Sequence, residues 1–285
     1  MSGSHLTIHE RRYEKITLYN RTIRHNGATT RVDNMKIFAD TANIDEIKEF
    51  HEWGVIDGVT TNPLIIVKSG VKDLETHMKK ILALDTGHVS IEVTSNELDE
   101  MLAQLRWFAS WDKDAVIKLP MNVNGLKACK TLTAEGIKTN VTACMSTKQA
   151  ILAAKAGATY VSIFWARIED MGYDASTVVK ETREILDTHD MDSQIIIGSF
   201  RSMSHIITAM KTGAHVLTIP TELLKQMPWN PRTESTINEF LTQWNAFHGG
   251  EDPLTNAVNL KATIPPQAPS SAPKMRSKGG KLVRD

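Results

Sequence analysis

Cysteine is nearly missing from this 285-residue chain: Cys129 and Cys144 stand alone, without a CxxC spacing or a Cys/His cluster. Neither a disulfide framework nor a zinc site is therefore indicated, and two reduced, buried thiols are expected. The ten histidines form no ligand-like group either, so neither a metal-dependent chemistry nor any other cofactor is expected. No apolar window approaches the length of a membrane span, and the N-terminus lacks the apolar segment of a secretory signal; the expectation is an intracellular, cytoplasmic protein with no membrane partner. Excess charge is absent too, with 33 basic against 33 acidic residues. Bulk electrostatics then give no reason to expect nucleic acid, and any selectivity for an anion has to be local. Nor does a GxGxxG follow the first strand-like run, which counts against a dinucleotide-binding sheet.

What the chain does contain is alternation. Eight strand-like runs are separated by amphipathic helical ones: "KIFA" (36–39), "DGVT" (57–60), "HVSIEV" (88–93), "AVIKL" (115–119), "IKTNVT" (137–142), "YVSIF" (160–164), "IIIGS" (195–199) and "HVLTI" (215–219). Among the helices, "NIDEIKEFHEW" opens on an asparagine cap and "TKQAILAAKAG" closes on glycine. Eight such units in one chain of this length favour a closed (β/α)8 TIM barrel over an open doubly wound sheet. The barrel is expected over residues 35–248. Residues 1–34 are polar and Arg-rich and read as an extension, either a transit segment or an added hairpin or oligomer arm, since "YEKITLYNRTI" alternates like a strand. Residues 249–285 form a C-terminal extension whose last part, rich in Pro, Ser and basic residues, is expected to be disordered.

Barrel enzymes gather their chemistry at the C-terminal ends of the strands. Here those ends carry Asp40, then Thr60, Thr61 and Asn62, then Glu92, Lys118, Asn140 with Thr142, Phe164 leading to Arg167, and Ser199 with Arg201. Lys118 interrupts the apolar run "AVIKLP", which otherwise reads as a strand covered on both faces. It has two readings, a structural ion pair with the carboxylates or an amine tuned to attack a carbonyl. Asp40 and Glu92 supply proton carriers, while Asn62, Asn140 and Thr142 supply neutral hydrogen-bonding groups. Arg167 and Arg201 beside Ser199 suit a phosphate, although each arginine singly could pair with Glu169 or Asp170 on the surface.

The stretches "FADTANIDEI", "GVTTNP", "VIKLP", "EGIKTNVT", "AAKAGATYVSIFWARIED" and "GSFRS" resemble the transaldolase family, and most closely its compact branch, which also contains the fructose-6-phosphate aldolases. The resemblance covers residues 35 to 248. It implies a (β/α)8 barrel working through a lysine Schiff base without a metal. Carried over by position, it implies that Lys118 forms the imine, Asp40 is the acid/base, Glu92 and Thr142 hold a catalytic water, Thr61, Asn62, Asn140 and Phe164 contact the substrate, and Arg167, Ser199 and Arg201 bind its phosphate. Glu92 and Phe164 resemble the transaldolases, where the aldolase branch has glutamine and tyrosine. The resemblance further implies phosphorylated sugar substrates and a homo-oligomer. Free aldol cleavage, or a barrel that binds phosphosugars without catalysis, are the alternatives. Leu64, Ala143, Cys144 and the "SIFWAR" segment depart from the family pattern, Trp165 most of all: it would reshape the acceptor side if it faced the pocket, or pack the core if it faced the helices.

Overall fold

A computed structural model describes residues 34–249, together with two short antiparallel ladders, Arg24–His25 with Ala28–Thr29 and Met275–Lys278 with Lys281–Arg284. The segment "YEKITLYNRTI" and most of the C-terminal tail lie outside the described residues.

Eight strands close into a parallel barrel: β1 (Lys36–Asp40), β2 (Gly58–Thr60), β3 (His88–Glu92), β4 (Ala115–Pro120), β5 (Thr139–Cys144), β6 (Tyr160–Phe164), β7 (Gln194–Gly198) and β8 (Val216–Pro220). Each pairs with its sequence neighbour, and β8 returns to β1 in register from Val216 against Lys36 to Pro220 against Asp40. The helices are α1 (Ile44–Glu52), α2 (Pro63–Lys68), α3 (Leu74–Leu82), α4 (Leu98–Ala109), α5 (Val123–Ala134), α6 (Thr147–Lys155), α7 (Trp165–Asp170), α8 (Ala175–Thr188), α9 (Met203–Ala209), α10 (Thr221–Gln226) and α11 (Pro231–Phe247). None of the described helices is long and apolar enough to cross a membrane.

Local chemistry explains the boundaries. The Asn43 side chain accepts from the backbone N–H groups of Asp45 and Glu46 and so starts α1. Gly157, at φ +93°, turns the chain out of α6 in a conformation that L side chains rarely adopt. The fifth strand begins two residues later than the apolar pattern implies, because the Ile137 N–H donates to the Leu132 carbonyl and is spent closing α5. It also runs on to Cys144 through an irregular register, with Ala143 at φ +62°.

The dry core lies between strands and helices, where Ile47, Phe50, Met101, Leu105, Leu132 and Trp165 are fully buried. Each contributes about 1.5–3 kcal/mol by leaving water, before conformational entropy is counted. Both cysteines are free and buried, and burial pushes the Cys144 thiol up to about 12.

The barrel interior is different. Contacts that skip a strand must run through it, and these are mostly polar in its upper half: Thr60 on β2 meets Thr218 on β8, and Asn140 on β5 donates to Ser90 on β3 at 3.2 Å. Beneath them, the His88 ring lies between Phe38 and Tyr160, with centroids 4.5 and 4.7 Å away, and closes the floor. Burial pushes His88 down to about 3, helped by Lys36, Lys138 and Lys118, so the imidazole is neutral.

Candidate active site

Lys118 projects from the middle of β4 into the upper barrel, where its side chain is 6% exposed. Its Nζ lies 3.0 Å from Glu92 Oε2 and donates to the Thr61 carbonyl at 3.1 Å. The pairing follows from register, since Glu92 on β3 stands directly opposite Lys118. Asp40 ends β1 and accepts a hydrogen bond from Thr60 Oγ1 at 2.8 Å. Burial raises its carboxyl pKa above the ordinary carboxylate range; Lys118 and the Thr60 bond pull the other way without overcoming it, and the charges of Glu92 and Glu222 add to the rise. Lys118 thus faces one carboxylate in direct contact and a second whose proton is held more tightly than usual.

A cavity of about 630 Å3 opens above this group. Of the eleven residues that the family resemblance assigns to the site, six line it: Asp40, Asn62, Lys118, Phe164, Arg167 and Ser199. Asn62 also caps α2, its Oδ1 accepting from the Ile65 N–H at 3.0 Å, so a helix start fixes its position. The Arg167 guanidinium lies 5.9 Å from the centroid of the Phe164 ring, over its face. Ser199 sits at φ +64°, a sparsely populated conformation for serine, where β7 leaves the barrel.

The other five residues stand apart from the cavity wall. Thr61 and Glu92 line a smaller space of about 130 Å3 behind α2, and the Thr61 hydroxyl donates to the Ser90 carbonyl at 2.8 Å. The contact of Thr61 with Lys118 is made by its backbone. Asn140 is fully buried; it donates to Ser90 and accepts from the Ser162 hydroxyl at 2.7 Å. Thr142 Oγ1 is buried with no hydrogen-bond partner among the described residues, the condition in which a hydroxyl retains capacity for a water or a substrate oxygen. Arg201 does not line the cavity and forms a bidentate pair with Asp170, with both N–H···O distances 2.6 Å. That pairing holds the Asp170 carboxyl below the ordinary carboxylate range.

Among the cavity residues not singled out from the sequence are Ser162, Thr218 and Glu222. The first two carry a readable signal, a lone hydroxyl in an apolar strand two positions before the strand's last inward residue. Glu222, at the start of α10, carries none. Trp165 opens α7 at 1% exposure, and its Nε1 donates to Glu169 Oε1 at 2.7 Å. It packs near Phe200 and His205 and does not line the cavity, so it belongs to the core. Leu64, in contrast, is exposed on the cavity wall.

A closed parallel barrel, with a buried lysine, paired carboxylates and an arginine at the C-terminal mouth of its strands, defines a lysine-centred (β/α)8 barrel. Residues 37–261 match the family model for transaldolase/fructose-6-phosphate aldolase. The chain is 43% identical over 215 residues to a probable transaldolase of Symbiobacterium thermophilum, covering 75% of this chain and 99% of that protein. It is 44% identical over 213 residues to a probable transaldolase of Streptococcus pyogenes serotype M5, again covering 75% of this chain and 99% of the relative. The chain belongs to the transaldolase/fructose-6-phosphate aldolase family.

Proposed function

We propose that the protein is a transaldolase, moving a dihydroxyacetone unit from a ketose phosphate such as fructose 6-phosphate or sedoheptulose 7-phosphate to an aldose phosphate, in the cytoplasmic sugar interconversions of the pentose phosphate pathway. The observation that carries this reading is the Lys118 amine, buried at the base of a sugar-sized cavity, 3.0 Å from Glu92 and flanked by an Asp40 whose carboxyl pKa is raised.

In this reading the Lys118 amine attacks the ketone carbon, and Glu92 with Thr142 orders the water that carries protons as the carbinolamine dehydrates to an imine. The cationic imine draws electrons from the adjacent carbon. Asp40 removes the proton of the C4 hydroxyl, the C3–C4 bond breaks, the aldehyde phosphate departs, and an enamine of dihydroxyacetone stays on Lys118. A carboxyl group shifted toward neutrality suits that base role, because a base with a pKa nearer the working pH takes a proton more effectively. Asn62 and Asn140 address the donor hydroxyls, and Arg167, Ser199 and Arg201 the phosphate. The aldose acceptor then takes the enamine carbon, and water must be kept from protonating the enamine first.

Borohydride reduction in the presence of fructose 6-phosphate, followed by peptide mass mapping, tests this directly. A three-carbon adduct on Lys118 is expected, and Lys118→Ala should abolish it; full turnover by that variant would end the proposal. Omitting the aldose acceptor separates transfer from simple cleavage, since a transaldolase stalls without it whereas an aldolase keeps consuming fructose 6-phosphate.

A further inference from the structure

The two arginines assigned to the phosphate are not equivalent. Arg167 lines the cavity, whereas Arg201 does not, and its fork is occupied edge to edge by the Asp170 carboxylate at 2.6 Å on each side. A carboxylate and a phosphate present the same pair of oxygens to a guanidinium, so the two compete for one set of donors. Asp170 also lies three residues after Arg167 on α7, close enough that the Arg167 charge acts on it as well. We infer that Asp170 is a specificity-setting latch on the anion site: it holds Arg201 away from the cavity until a phosphorylated substrate displaces it.

The pair is built to exchange. The Arg201 and Asp170 side chains are 55% and 51% exposed, so the bond between them costs little to break. Nor does the surrounding structure depend on it. The neighbouring Glu169 already ties α7 to α9, lying 3.1 Å from His205 Nε2, while within α7 it accepts from Trp165 Nε1 at 2.7 Å. The Arg201 backbone is fixed independently, its N–H donating to His205 Nδ1 at 3.4 Å. The guanidinium can therefore swing from Asp170 to a ligand without moving the loop. A carboxylate ligand gains little from such an exchange, since Arg201 trades one carboxylate for another. A phosphate dianion gains more, and the latch in this way favours phosphate esters over weaker anions.

The inference rests on Arg201 being a phosphate ligand, and calorimetric titration with inorganic phosphate separates the two ideas. Asp170→Asn should bind phosphate about threefold to fivefold more tightly than the parent, as expected for release from one exposed bidentate pair. The KM for fructose 6-phosphate should fall by a similar factor. Glu184→Gln on the outer helix α8 removes one negative charge elsewhere and should leave both quantities unchanged; an equal gain there would reduce the effect to net charge and overturn the latch. If Arg201→Ala binds phosphate as tightly as the parent, the assignment of Arg201 fails, and the latch with it. If Arg201→Ala weakens binding but Asp170→Asn leaves it unchanged or weaker, the phosphate site stands and Asp170 is only a structural tie.

Discussion

The Lys118 ammonium lies 3.0 Å from the Glu92 carboxylate, and the two residues occupy directly paired positions on β3 and β4. With side chains 6% and 19% exposed, neither is well solvated, so removing one leaves the other costly. Glu92→Leu should therefore cost about 3 kcal/mol in urea unfolding. Glu92→Gln keeps an oxygen for the ammonium to donate to and should cost less than half of that. Equal losses for the two variants would mean that packing, not charge, is what matters at this position.

Under the proposed function, Asp40 sets stability against activity. Its folded pKa is raised, so the folded state binds the proton more tightly than the unfolded chain does. The stabilisation this gives is full below the unfolded value, about pH 3.9, and is lost as pH rises through the folded value. At neutral pH the ionised group is then a liability. Asp40→Asn preserves the acceptor for Thr60 and should melt higher than the parent, by a margin that grows from pH 4 to pH 7. Its turnover should fall at least about 100-fold, the usual scale for loss of an acid/base group. A melting gap that shrank with rising pH would contradict the sign of the shift.

Close packing fixes where Lys118 can stand. A Cβ on Gly125, in the first turn of α5, would lie 1.9 Å from the Pro120 carbonyl oxygen at the end of β4. Backbone has to move to relieve that, so Gly125→Ala should destabilise by about 3 kcal/mol or more. Because Pro120 is two residues from Lys118, imine trapping should slow as well. Parent-like unfolding would show that α5 can slide away from the strand.

Trp165 and Leu64, both read from the resemblance as departures, meet different surroundings. Trp165→Phe removes the bond to Glu169 and should cost about 1 kcal/mol, visible as a drop in Tm, while KM stays within about twofold. Leu64→Thr alters the cavity wall and should change KM with little effect on Tm. The reverse assignment of effects would move Trp165 into the substrate path.

The sequence carried the barrel because fully buried parallel strands write themselves as short apolar runs between helices, and all eight runs became strands. It also carried the lysine, since one charge inside "AVIKLP" is expensive without a partner. The surface pairing of an arginine with Asp170, one of the two readings of those arginines, is what Arg201 adopts. Two things were hidden for physical reasons. Where Trp165 points depends on the chain turning into α7 directly after Phe164, a rotation no periodicity records. Thr218 reaches Thr60 only because the barrel is closed, which brings strands eight and two to either side of β1.

That closure also orders events in time. The last barrel strand supplies the partner for the first, matching Val216 through Pro220 with Lys36 through Asp40. Until β8 has left the ribosome, β1 lacks one neighbour and Asp40 lacks the Pro220 that stands opposite it. Such a high-contact-order pairing forms late, after loop-closure entropy has been overcome. A chain truncated before residue 216 would still contain Lys118, Glu92 and Arg167, yet it would hold no finished pocket. Synthesis therefore completes the pocket around Lys118 only in its final step.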